Sequence, residues 1–165
     1  MTTTDQLQTW LDKLALTELV SILSAAVDRG DRDTIIDCYA ADSYDDHGAF
    51  KGSGQEFAEM ICAPAPLVRR MAMHHLLGQS VFDIAGDEAW GETFFVMHAV
   101  IEGQTASGFG RYVDYFQRIQ DAWKLVYRRV IPDATIPGDD LTTYWQSHRG
   151  SADPRYDRLT APPHI

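Results

Sequence analysis

The chain is poor in positive charge and in cysteine, and it contains no long apolar run. Lys and Arg number 14 against 24 Asp and Glu, for a formal net charge of -10. A nucleic-acid partner demands a basic face that displaces counterions from phosphates, so this balance argues against nucleic-acid binding. No stretch approaches the roughly 18 consecutive apolar residues of a membrane span, and no membrane partner is expected. The start, Met1-Thr2-Thr3-Thr4-Asp5, lacks the basic-then-apolar pattern of a secretory signal, which makes a cytoplasmic location the expectation. The two cysteines, Cys38 and Cys62, form no CxxC pair and fall in segments that read as helical. They are expected to be buried free thiols with no function of their own.

Metal and nucleotide motifs are also missing. Asp45-Asp46-His47 with His74 and His75 supplies the ligand types of zinc or iron, yet there is no HxH or HExxH spacing. Neighbouring side chains on a strand point to opposite faces, so His74 and His75 cannot both hold one ion. Gly108-Phe109-Gly110-Arg111 lacks the lysine and the following helix of a phosphate loop and reads as a bend in a strand. Neither a metal nor a cofactor is expected.

What is present suffices for one core. With 165 residues, 45% of them hydrophobic, residues 1–165 read as a single domain with 133–165 as a C-terminal tail. Leu7, Trp10, Leu11, Leu14, Leu19, Ile22, Leu23 and Ala26 recur at helical spacing from Asp5 to about Val27, which predicts a long amphipathic helix ending at Arg29-Gly30. A second helix from near Asp31 carries Ile35, Ile36 and Tyr39 inward, with Asp31 as its cap, and a short strand runs from Tyr44 to His47. Gly52-Ser53-Gly54-Gln55 caps a third helix, Glu56 to Ile61, which stops before Pro64-Ala65-Pro66.

Long extended runs follow: roughly Arg69 to Ile84, Ala89 to Ile101, Ser107 to Gln120 and Trp123 to Ile131. Turns at Gly86-Asp87, Gly103-Gln104 and Gln120-Asp121 separate them. Helices first and an antiparallel meander afterwards means an α+β fold. Strands this long must twist and curl, giving a cone-like curved sheet that encloses a pocket against the N-terminal helices. The tail wraps over the surface, with a short helix at Leu141 to Gln146. Trp90, Phe94, Phe95, Phe109 and Phe116 are expected in the core or the cavity wall, which suits a small hydrophobic substrate containing a ring.

His74 and His75 stand in the apolar run Met71-Ala72-Met73-His74-His75-Leu76-Leu77-Gly78, so one of the two must face inward. Alternation groups His75 with Met71, Met73, Leu77 and Val81, and His74 with Ala72, Leu76, Gly78 and Phe82. Both faces are apolar, and periodicity does not choose. Asp28 is left free by Asp31, the better helix cap. A carboxylate that accepts a histidine Nδ1 proton fixes the tautomer and presents Nε2 as a base. Arg128 and Arg129 face opposite ways on the last strand, so one of them can reach inward to hold developing negative charge. Tyr44, Tyr112, Tyr115 and Tyr127 are candidate hydrogen-bond donors.

Three pieces, Asp28-Arg29-Gly30-Asp31, His75-Leu76-Leu77-Gly78 and the hairpin from Tyr115 to Leu125, carry a resemblance over most of residues 5 to 132. The chain resembles the SnoaL-like branch of the nuclear transport factor 2-like superfamily, and within it scytalone dehydratases and hexachlorocyclohexane dehydrochlorinases. The resemblance implies Asp28 and His75 as a catalytic dyad, with His75 selected by its spacing to Gly78. It implies Arg128 at the pocket and places His47, or Tyr44, near a dehydratase tyrosine. His98 lies about one position out of register with a second dehydratase histidine, a slip that reverses its face. His74 stays a rim candidate for substrate binding, and Lys13 lies too early to match the dehydrochlorinase lysine.

The implied activity is a cofactor-independent lyase, a dehydratase or related eliminating enzyme acting on a small hydrophobic cyclic or aromatic molecule. The same scaffold also hosts ketosteroid-type isomerases and the small subunits that assemble ring-hydroxylating oxygenases, and both remain alternatives. The apolar strand faces suggest a homo-oligomer, a dimer or a trimer.

Overall fold

A computed structural model describes residues 2–63, 72–101, 104–137 and 144–145. Helix α1 spans Thr3–Arg29 and begins in a capping box, with the Thr2 side chain accepting from the Asp5 backbone and Asp5 reaching back. Gly30 ends it at φ 66, a left-handed conformation that costs glycine little, and its N–H bonds the carbonyls of Ala26 and Val27. Helix α2, Arg32–Cys38, starts at once from the Asp31 cap and runs directly into β1, Tyr39–Asp46. The two-residue β2, Lys51–Gly52, pairs back on β1 and leads to α3, Gly54–Ile61, capped by Ser53 with Glu56.

The meander follows as β3, Ala72–Ala85, β4, Glu88–Ile101, β5, Gln104–Ile119, and β6, Ala122–Pro137. The sheet runs β2-β1-β6-β5-β4-β3 and is open at both ends. Glycine opens the β3–β4 turn at Gly86, while Gln120 and Asp121 both take positive φ at the β5–β6 turn, as a tight hairpin that follows strand twist requires. The expected turn at Gly103-Gln104 lies partly outside the described residues. The α+β class and the curved sheet under N-terminal helices are as the sequence pattern predicts.

Four details differ from expectation. First, β1 joins β6 in parallel, through the pairs Tyr44↔Tyr127 and Asp45↔Arg128, so the sheet is not a pure antiparallel meander. The helix α3 and the following chain provide the connection that such a return needs. Second, Leu7, Trp10, Leu11 and Leu14 are exposed, whereas Leu16, Val20, Leu23 and Ala26 enter the core beside the buried Asp12 and Ser24. Apolar residues surround this helix, and the face that wins also lets Asp12 accept from Arg118 and from the Trp123 ring N–H. Third, Tyr144–Trp145 is a short strand, β7, paired with β6, where a helix across 141–146 was expected. Residues 144–145 excepted, the tail beyond Pro137 lies outside the described residues. Fourth, the register of β3 shifts between Leu77 and Ser80. A bulge there reverses the faces downstream, burying Phe82 and exposing Val81.

The main core fills the space between helices and sheet: Leu16, Val20, Leu23, Ile35, Phe57, Phe116 and Leu125 are all nearly inaccessible. A second cluster, with Tyr44, Tyr115, Val126 and Tyr127, covers the opposite face of the sheet. Cys38 is buried and Cys62 half-buried, both as free thiols.

Candidate active site

The last turn of α1 lies along β3, and Gly30 stops the helix just after Asp28 has turned toward that strand. One Asp28 oxygen accepts the backbone N–H of His75 at 2.8 Å, and the other lies 2.6 Å from His75 Nδ1. Two contacts from one residue fix the carboxylate against the ring and make Nδ1 the protonated nitrogen, which leaves Nε2 as the base. The His75 side chain is 8% exposed and that of His74 87%, so alternation along β3 sends one ring inward and the other to solvent. His74 Nδ1 stands 3.8 Å from Asp28, beyond hydrogen-bond reach.

Burial lowers the His75 pKa below its ordinary value, and the hydrogen bond and charge of Asp28 oppose that shift. Arg128 and His47 push it further down. The sum is a neutral imidazole near neutral pH, the form that accepts a proton.

His75 faces a cavity of about 120 Å³. Its wall is mostly apolar, from Val27, Phe57, Met60, Ile61, Met73 and Met97, with Ser24, His47, Tyr112 and Arg128 as the other polar members. An apolar cavity near 150 Å³ accepts a benzene ring, so this space fits about one six-membered ring. Ser24 Oγ is buried there beside the Tyr112 hydroxyl, with which it interacts.

Arg128 lines the same cavity, while Arg129 is half-exposed on the other face. The Arg128 guanidinium is gripped by Asp114 through Nε at 2.9 Å and Nη2 at 2.7 Å, and its carbon lies 3.9 Å over the Tyr112 ring. Burial raises the Asp114 carboxyl although Arg128 pulls it down. Burial likewise raises the Tyr112 hydroxyl, which stays a neutral donor.

His47 enters from the end of β1, its ring stacked on Phe57 with centroids 4.4 Å apart. Its Nδ1 contacts the carboxylate of Asp45, whose other oxygen accepts the Tyr39 hydroxyl. Asp45 is fully buried. Tyr44, one residue away, points through the sheet and stacks on Tyr127, so it stands outside the cavity. His98 is exposed and paired with Ser107, opposite His74 in the β3–β4 register. The structure thus brings Asp28, His75, His47 and Arg128 to one space and leaves Tyr44, His74 and His98 outside it.

Ser24 at the cavity and Asp114 behind Arg128 are residues that sequence reasoning passed over, and Asp45 was weighed there only as a metal ligand. Asp45 and His47 carried a signal, since residues i and i+2 share a strand face. Among the described residues no three His, Cys, Asp or Glu side chains converge as a metal site.

The chain belongs to the SnoaL-like domain family, whose model matches residues 8–129. It is similar in structure to a type 2 hexachlorocyclohexane dehydrochlorinase, at TM-score 0.72 and 15% identity over 80% of this chain and 92% of that one. A Novosphingobium aromaticivorans protein assigned as a scytalone dehydratase superposes at TM-score 0.70 with 13% identity, covering 86% of this chain and 97% of that one. A protein from the same organism assigned as an aromatic ring hydroxylase gives TM-score 0.65 and 22% identity over 73% and 88%. At such identities the likeness is one of fold. No curated protein matches the chain.

Proposed function

We propose that the protein is a cofactor-independent lyase that removes a proton and a leaving group from a small hydrophobic ring compound, with Asp28 and His75 as its catalytic dyad. The observation that carries the reading is the 2.6 Å contact between Asp28 and Nδ1 of an inward, buried His75. A carboxylate in that position stabilises the imidazolium formed when Nε2 takes a proton. If that proton lies beside a carbonyl or opposite a good leaving group, an imidazole base is strong enough, and neither a metal nor an organic cofactor is required. The ring-sized apolar cavity supports a cyclic or aromatic substrate, and Arg128 supplies positive charge on the wall where electron density accumulates.

The rival readings fit less well. A ketosteroid-type isomerase uses the carboxylate itself to carry the proton, but both Asp28 oxygens are engaged by His75. A pure assembly module has no need for a carboxylate held against a buried histidine. The exposed Leu7, Trp10, Leu11 and Leu14 of α1 support self-association as a dimer or trimer.

The test is elimination from single-ring ketones that carry a β leaving group, followed by appearance of the conjugated enone. His75→Ala and Asp28→Asn are each expected to lose roughly 10²–10⁴-fold in rate while keeping the wild-type circular dichroism. Full activity in either variant would remove the dyad, and a product of unchanged mass would point to isomerisation.

A further inference from the structure

A second carboxylate–histidine pair opens on the cavity that His75 occupies. His47 and Asp45 sit two residues apart at the end of β1, on one face of the strand, and Tyr39 donates to the far oxygen of Asp45. The arrangement repeats the logic of Asp28 and His75: a buried carboxylate accepts the hydrogen bond of Nδ1–H and leaves Nε2 for the space beyond. Asp45 is the more deeply buried of the two carboxylates, with its side chain 0% exposed against 12% for Asp28. Structural stacking of His47 on Phe57 would need no such anchor.

We propose that His47 is the general acid of the reaction, so that the group eliminated is a hydroxyl leaving as water. This rests on the lyase reading of the Asp28–His75 dyad. His75 Nε2 takes the proton from the carbon beside the carbonyl, and the freed electron pair becomes the new C=C bond. The C–O bond breaks with its pair going to oxygen, which receives the Nε2 proton of the His47 imidazolium and departs as water. His75 ends protonated and His47 neutral, and proton exchange with water restores both. Hydroxide is a poor leaving group and needs this proton, whereas chloride leaves with its electron pair unaided. Asp45 and Tyr39 are positioning residues: the carboxylate fixes the His47 tautomer, and Tyr39 fixes the carboxylate.

The charged and titratable groups facing His47 come from every wall of the site: Asp45 and Tyr39 beside it, Asp28 with His75 across the cavity, Asp114 of β5 and Arg128 of β6. The two histidines sense each other, since charge on His47 lowers the His75 pKa.

The experiment compares wild type and His47→Gln by imidazole NMR titration and by turnover of 3-hydroxycyclohexanone and 3-chlorocyclohexanone above the uncatalysed background. In the variant His75 is expected to titrate at higher pH than in wild type; an unchanged His75 overturns the proposal whatever the activities. Turnover of the hydroxy ketone is expected to fall roughly 100-fold or more while that of the chloro ketone stays within a few-fold. Equal loss of both makes His47 a binding residue and overturns the acid role, as does loss of neither. Wild type that eliminates chloride but never water leaves the lyase reading standing and removes this one. Turnover of neither ketone removes both. Asp45→Asn is expected to shift the pH dependence of hydroxy-ketone turnover while sparing the chloro ketone, which a purely structural role would not do.

Discussion

Asp114→Asn tests whether the cavity wall depends on one buried ion pair. The Asp114 side chain is 1% exposed and that of Arg128 3%, and two hydrogen bonds of 2.9 and 2.7 Å join them in fork geometry. The substitution keeps shape and removes the counter-charge, leaving a guanidinium enclosed by Tyr112 and the sheet. Breaking a buried pair from one side costs about 3–5 kcal/mol, because the remaining charge stays desolvated. In a chain of this size 1 kcal/mol moves Tm by about 2–4 °C, so the expected fall is about 6–20 °C. Asp87→Asn is the internal contrast: its partner Arg118 also binds Asp12, and Asp87 is 78% exposed, so the change should stay within about 0.5 kcal/mol. Differential scanning calorimetry or chemical denaturation measures both. An Asp114→Leu/Arg128→Met double variant should recover much of the loss, since an apolar pair of similar volume has no charge to strand. A fall of less than about 3 °C for Asp114→Asn would show that the wall does not depend on this ion pair, as would a double variant as unstable as the sum of its single changes.

Two further outcomes follow from the same structure. Burial lowers the folded pKa of His75, so between its unfolded value near 6.5 and that lower folded value the unfolded chain binds more protons. Stability owed to neutral His75 is therefore fully present above about pH 6.5 and is lost as pH falls through the folded pKa; His75→Gln should flatten that limb of a Tm-versus-pH curve, and an unchanged limb would count against it. If the chain self-associates through α1, light scattering should show wild type as a dimer or trimer and Trp10→Glu as a smaller species; a monomeric wild type would dispose of the idea.

Asp28 owes its freedom to local rules. Asp31 precedes a helix and caps it, Gly30 stops the helix before, and Asp28 is left without a local task, all of which the sequence spells out. The three N-terminal helices, the four long strands and their hairpins were legible for the same reason: apolar period, caps and turn residues act within a few positions. The face of α1 was not. Its apolar residues surround the helix, and only contact with Arg118 and Trp123, more than a hundred residues away, decides that Asp12 goes in and Trp10 stays out. The β3 bulge was equally invisible, because a shifted register is a property of two strands and not of one.

The histidine pair divides along the same line. Strand alternation in the sequence required that His74 and His75 face opposite ways and that one meet the interior. Which one does so was settled when β3 packed against the last turn of α1, where Asp28 accepts both the backbone and the ring of His75. His47 joined the site only because β1 returns in parallel beside β6, bringing Asp45 level with Arg128. Sequence by itself determined periodicity, caps, turns and the residue types available for chemistry, since those follow from neighbours along the chain. Tertiary structure alone decided which carboxylate meets which imidazole, and in how little water, since both depend on contacts that no local rule contains.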